Sequence, residues 1–85
     1  MSLTEAELKK RRVAFKADPK LFASFVTKLS PETKEVALQC NKIFMDESLD
    51  AAGVVKKMGE AQAKLSANGV KEMGDLRGII NAHFK

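Results

Sequence analysis

The sequence predicts an all-α fold, a small single-domain bundle of about five short helices. Three observations carry that expectation. Apolar residues recur at three- and four-residue intervals, and no stretch alternates polar and apolar for more than a few residues. Both prolines follow a residue of N-cap type, in Asp18-Pro19 and Ser30-Pro31. The 85 residues contain no repeat, low-complexity segment or linker, so residues 1–85 read as one domain with one modest core.

The first helix is expected over 4–17, opened by Thr4-Glu5-Ala6-Glu7 with the spacing of a capping box. The second, over 19–29, places Phe22, Phe25, Val26 and Leu29 on one face and Lys20, Ser24 and Lys28 on the other. The third, over 31–46, has Val36, Cys40, Ile43 and Phe44 on one face but Leu38 and Met45 opposite. That pattern suits a central helix packed on two sides. The acidic turn Asp46-Glu47-Ser48-Leu49-Asp50 offers Ser48 as the cap of a fourth helix over 49–67. Its stripe is Ala51, Val54, Val55, Met58 and Leu65, and Asn68-Gly69 reads as its stop. The fifth, over 70–84, carries Val70, Met73, Leu76, Ile80 and Phe84. The expected core joins Phe22, Phe25, Ile43, Phe44 and Phe84.

Composition narrows the function classes. A 45% apolar content excludes wholesale disorder. No apolar run approaches the roughly 20 residues of a membrane span. The opening MSLTEAELKK carries charges where a signal peptide needs an apolar stretch, and the single Cys40 cannot form an internal disulfide. An intracellular, cytoplasmic protein is the expectation. The net charge of +4 sits in the first third: residues 1–28 hold seven bases and three acids, the remainder eight of each. Lys9, Arg12 and Lys16 align at i, i+3 and i+7, a row suited to phosphates or to an acidic partner. Against it, Glu5–Lys9 and Glu7–Arg11 are compensating i, i+4 pairs, and no Tyr or Trp is present to stack on bases. A solvated face, an acidic protein partner and nucleic acid stand as three readings of that row.

Catalytic and metal chemistry find little to work with. Cys40 lies on an apolar face, where a thiol stays protonated, and His83 closes the last helix, where its partial positive charge suits the dipole. No second His, orienting group or glycine-rich phosphate loop accompanies them, so no enzyme, no cofactor and no metal is expected. Asp46, Ser48 and Asp50 imitate the first ligands of an EF-hand loop, but Ala51 replaces its Gly and Lys57 its bidentate Glu. Turn and cap roles suit those residues better. Gly74, Gly78 and Ala82 recur at i, i+4 and i+8, away from the stripe of the fifth helix. Such a ridge admits a close helix, inside the domain or from a partner.

From residue 29 the pattern becomes more specific. Leu29-Ser30-Pro31-Glu32-Thr33-Lys34 opens a helix containing Lys42-Ile43. The turn Asp46-Glu47-Ser48-Leu49 follows, then a helix ending near Leu65 and Val70-Lys71-Glu72-Met73. This order resembles the C-terminal half of the nematode SXP/RAL antigen and allergen family, over roughly residues 29–73. The resemblance implies a small all-helical protein without established enzymatic activity, for which divalent-cation binding has been suggested. The family has no fixed ligand motif, so the resemblance assigns no site residue. The opening residues are expected to be neither the signal peptide nor the longer N-terminal part of that family's pattern, which sets secretion and a host-facing role aside as expectations. The expected function is non-enzymatic protein–protein contact, as an SXP/RAL-like domain or a small structural subunit of a larger assembly. The candidate contact residues are Gly74, Gly78, Ala82, Lys9, Arg12 and Lys16. The alternative is nucleic-acid or acidic-surface binding through the basic first helix. A carrier of a small apolar ligand is a third class, set back because five Phe and few large aliphatics leave little expected core volume.

Overall fold

Short polar side chains start four helices by taking the N–H groups that a first turn leaves unbonded. Thr4 Oγ1 accepts from the Glu7 N–H at 3.1 Å, and Glu7 Oε1 accepts in return from the Thr4 N–H at 3.1 Å. Asp18 accepts from Lys20, Asp50 from Gly53 and Ser66 from Gly69. The computed structural model describes residues 3–85 and contains five helices. They are α1 (Glu5–Ala17), α2 (Pro19–Val26), α3 (Pro31–Phe44), α4 (Ala51–Gln62) and α5 (Ala67–His83). The fold is a small all-α domain.

The expected ends at 29, 46 and 67 fall back to Val26, Phe44 and Gln62, and the starts of the last two helices move for local reasons. The fourth helix starts at Asp50 and not at Ser48, because both the N–H and the hydroxyl of Ser48 donate to Asp46 Oδ1, at 3.0 and 2.6 Å. Asn68-Gly69 lies inside the first turn of α5 and stops nothing, since Ser66 is already its cap. Gly69 adopts no positive φ. Its missing side chain serves a close approach, because a Cβ there would stand 2.9 Å from Leu65 Cδ2 and 3.3 Å from Thr33 Oγ1.

The core divides in two. The larger cluster joins Val26, Val36, Ala37, Cys40, Met73 and Leu76 from α2, α3 and α5. The smaller joins Leu8 of α1 with Ala51 and Val54 of α4, and Phe44 packs against it. Met58 touches both clusters. α3 is central, as expected, and packs on α2, α4 and α5. It does so through one broad face, Thr33, Val36, Ala37 and Cys40, while Leu38 is 45% exposed. Val70 and Val55, placed in apolar stripes by their spacing, are also exposed.

The expected aromatic core is corrected. Phe22, Phe25, Ile43, Phe44 and Phe84 are all half-buried, and the one buried Phe is Phe15 in the basic helix. Its ring meets Phe22, Phe44 and Phe84 edge-on, with centroids 5.9, 6.1 and 5.6 Å away. Such pairs contribute about 0.5–1.5 kcal/mol each beyond the area they bury. One side chain therefore ties α1 to α2 and to the C-terminal ends of α3 and α5.

Charged side chains close helix ends across the bundle. The Glu72 carboxylate of α5 accepts from the Ser30 N–H at 3.0 Å, the Ser30 hydroxyl at 2.7 Å and the Thr33 hydroxyl at 2.7 Å, which caps α3. Glu32 of α3 accepts from the Ser66 N–H at 2.9 Å, at the start of α5. Glu5 of α1 accepts from the Ala51 N–H of α4 at 2.8 Å. Glu5 and Glu7 thus serve as caps, and Lys16–Glu47 is the salt bridge among the described residues.

Two outcomes test this account. Phe15→Ala should lower stability by about 3–5 kcal/mol, as truncation of a buried aromatic does, and Phe44→Ala should cost less. A urea titration of both variants checks the order; equal costs would deny Phe15 its central place. The second concerns acid. The Ser30 hydroxyl, the Ser30 N–H and the Thr33 hydroxyl hold the Glu72 carboxyl below its ordinary 4.5. A depressed carboxylate contributes stability that is full above its unfolded value and is lost as pH falls through the folded one. Glu72→Gln should therefore be less stable than wild type at pH 7, with the gap narrowing below about pH 4.5. A gap independent of pH would show that ionisation of Glu72 is not what caps α3.

Candidate functional site

α4 and α5 both pack on α3 but hardly touch each other. The space they leave opens into a pocket of about 340 Å³ that reaches all five helices. Small residues help to keep it open. Ala37 is fully buried in its wall, and a Cβ at Gly59 would meet nothing within 4 Å. Phe15, Phe22 and Phe44 supply aromatic walls; Met58, Met73, Leu76 and Ile80 supply flexible aliphatic ones. The pocket lies between the two core clusters, each of which lends it residues or neighbours.

Its polar lining is one-sided. Arg11, Arg77, Asn41, Gln62 and Asn81 contribute, and no Asp or Glu does. The Arg11 guanidinium lies 5.3 Å from the centre of the Phe84 ring, a cation–π arrangement. Neither arginine has a carboxylate oxygen within 4 Å among the described residues. Cys40 lines the pocket wall with Gln62 Nε2 3.9 Å from its sulfur. Burial pushes the thiol pKa up, and the Gln62 hydrogen bond opposes this only in part, so the group stays protonated. His83 sits apart, edge-on to Phe25 and Phe84 with centroids 5.5 and 5.0 Å away. No hydrogen bond joins the two as nucleophile and base.

The residues singled out from the sequence fall into different surroundings. Lys9 is exposed, Lys16 pairs with Glu47 at 2.7 Å, and Arg12 turns inward. Arg12 Nε donates to the Phe44 carbonyl at 2.8 Å, and Nη2 donates to the carbonyls of Asp46 and Leu49 at 2.7 and 3.0 Å. The middle member of the basic row thus caps α3 and holds the α3–α4 turn. Gly74, Gly78 and Ala82 are exposed on α5, and a Cβ at either glycine would meet nothing within 4 Å. The ridge is open, which removes the reading in which it admits a helix from inside the domain. Asp46 and Asp50 act as turn and cap acceptors, and no trio of His, Cys, Asp or Glu among the described residues is placed to hold a metal ion.

The pocket's polar residues were not singled out from the sequence. Arg77 and Asn81 stand at i, i+4 beside the Met73–Leu76–Ile80 stripe, the one signal that marks a wet edge to an apolar face. Comparison finds no matching family model, curated protein or solved structure. No helix among the described residues is long and apolar enough to cross a membrane.

The open ridge makes a prediction of its own. With free space and helical backbone at both positions, Gly74→Ala with Gly78→Ala should stabilise the monomer by about 1–2 kcal/mol in total. A lower thermal midpoint would mean that this face is packed.

Proposed function

We propose that this protein acts by binding and not by catalysis, and that the pocket bounded by α3, α4 and α5 takes a small apolar ligand. The single observation behind this reading is the pocket itself: about 340 Å³ inside an 85-residue chain, at the lower end of the ~300–1,000 Å³ of ligand sites. The Cα radius of gyration, 12.1 Å, matches the roughly 12 Å of a folded domain this long, so the volume belongs to no loosened bundle. At about 24 cal/mol per Å³, a sealed dry void of that size would cost on the order of 8 kcal/mol. That rivals the whole stability of a small domain. A site open to solvent avoids the cost, and burying hydrocarbon in it returns about 0.8 kcal/mol per methylene.

Protein–protein contact through Gly74, Gly78 and Ala82 is a second reading, favoured by the open space over both glycines. Loss of association by the double Ala variant, with its stability raised, would support it. Kinship with SXP/RAL proteins rests on the residues between 29 and 73 quoted above and is proposed on those alone; an intracellular location is proposed on the single Cys40, which forms no internal disulfide. Nucleic-acid or acidic-surface binding by the basic row loses support from Arg12, whose donors are spent on backbone carbonyls.

Methionine methyl NMR tests the pocket directly. Met58 and Met73 line it and Met45 does not. Titration with 1-decanol should shift the methyl resonances of Met58 and Met73 and leave that of Met45 in place. Failure of both pocket methyls to respond would sink this reading.

A further inference from the structure

We infer that the ligand of this pocket is a single-chain amphiphile with an anionic head, its head at Arg77 on the rim and its tail between Phe15, Met58, Met73 and Leu76. The inference rests on the pocket reading and adds the chemistry of the ligand.

Charge carries it. Acids are eleven of the chain's 26 Asp, Glu, Lys and Arg residues, so a rim of both signs was open to it. The pocket instead has two guanidinium groups and no carboxylate. An unpaired cation beside an apolar cavity favours an anion there and disfavours a cation. Arg77 is the stronger anchor: it is exposed at the mouth, and its planar fork matches a carboxylate with two parallel N–H donors. Arg11 already lies over Phe84 and is also attracted to Glu7 on its own helix, so it contributes field more than contact. The amides of Asn81 and Gln62, on α5 and α4, add neutral N–H donors to the lining.

Volume sets the tail. A methylene takes up roughly the share of a water in its liquid, about 30 Å³, so 340 Å³ holds on the order of eleven heavy atoms. One chain of about ten carbons fits, and the two chains of a bilayer lipid do not. The thioethers of Met58 and Met73 suit such a guest, because an unbranched, polarizable side chain adapts to a flexible tail.

Isothermal titration with ten-carbon probes below their micelle concentrations separates head from tail. Decanoate should bind about ten-fold or more tightly than 1-decanol at pH 7.5, and decyltrimethylammonium most weakly. From hexanoate to decanoate each methylene should tighten binding about four-fold, the ratio of 0.8 kcal/mol per methylene, and the gain should stop near twelve carbons. Arg77→Gln should erase the preference for decanoate while leaving decanol affinity within about two-fold of wild type. The comparison of the three probes on the native protein does not depend on that variant. Equal affinities for decanoate and decanol, tightest binding of the cation, or equal losses for both probes in Arg77→Gln would overturn the head-group assignment and leave the pocket reading standing. No binding by any probe would bring down both.

Discussion

Helix ends are the constraint from which the rest of this structure follows. Five helices in 85 residues present ten ends, each with backbone groups that the helix itself cannot bond. Four N-termini are met by their own N-cap side chains; two of these, α4 and α5, also receive a glutamate from elsewhere in the bundle, and α3 is met by a glutamate alone. Glu72 and Glu32 bind α3 and α5 reciprocally, each helix closing the start of the other. Glu5 carries α1 to the start of α4. Arg12 carries the same helix to the end of α3, where a cation meets the negative end of the dipole. Every one of these contacts has the sign the dipole favours. They set where the helices meet before any side chain fills the space between them.

That division of labour permits an unfilled core. A bundle held only by its apolar stripes must interdigitate them to native density or lose its unique packing. Here α3 is anchored at both ends, by Glu72 and by Arg12, and α4 and α5 lean on it separately. Phe15 closes one region with three edge-on rings, and Met58 bridges the two clusters. Between them the pocket remains, because Ala37 and Gly59 stand where larger side chains would have filled it.

Much of this was legible in the sequence, and the failures share a cause. The capping box at Thr4, the prolines after Asp18 and Ser30 and the heptad-like apolar spacings located all five helices, since those signals are local. Gly69 misled because glycine marks a left-handed stop and a close approach equally well, and only its φ and the positions of Leu65 and Thr33 in the fold tell them apart. Phe15 was hidden by its neighbours: Leu8 and Phe15 form a thin stripe in a helix otherwise dominated by Lys9, Lys10, Arg11 and Arg12. Charge density drew the first helix as a surface, when Glu5, Arg11 and Arg12 point at other helices. The pocket was hidden more deeply. Core volume depends on how stripes meet, and counting five Phe says how much apolar matter exists but not where a gap is left between it.

The basic first helix shows how one composition serves two ends. Its excess of cations suggested an outward, electrostatic role. Arg12 instead donates to three carbonyls, that of Phe44 at the end of α3 and those of Asp46 and Leu49 in the turn after it, an arrangement that guanidinium geometry allows and a lysine ammonium would not reproduce. Arg11, one residue earlier, rotates about 100° around the helix and reaches Phe84 and the pocket. Neighbouring bases thus face different interiors, the first the pocket and the second a helix terminus. Both tasks use the flat, forked guanidinium at the edge of apolar surface, over a ring for Arg11 and against three carbonyls for Arg12, while Lys9 and Lys10 on the same turn stay exposed to water.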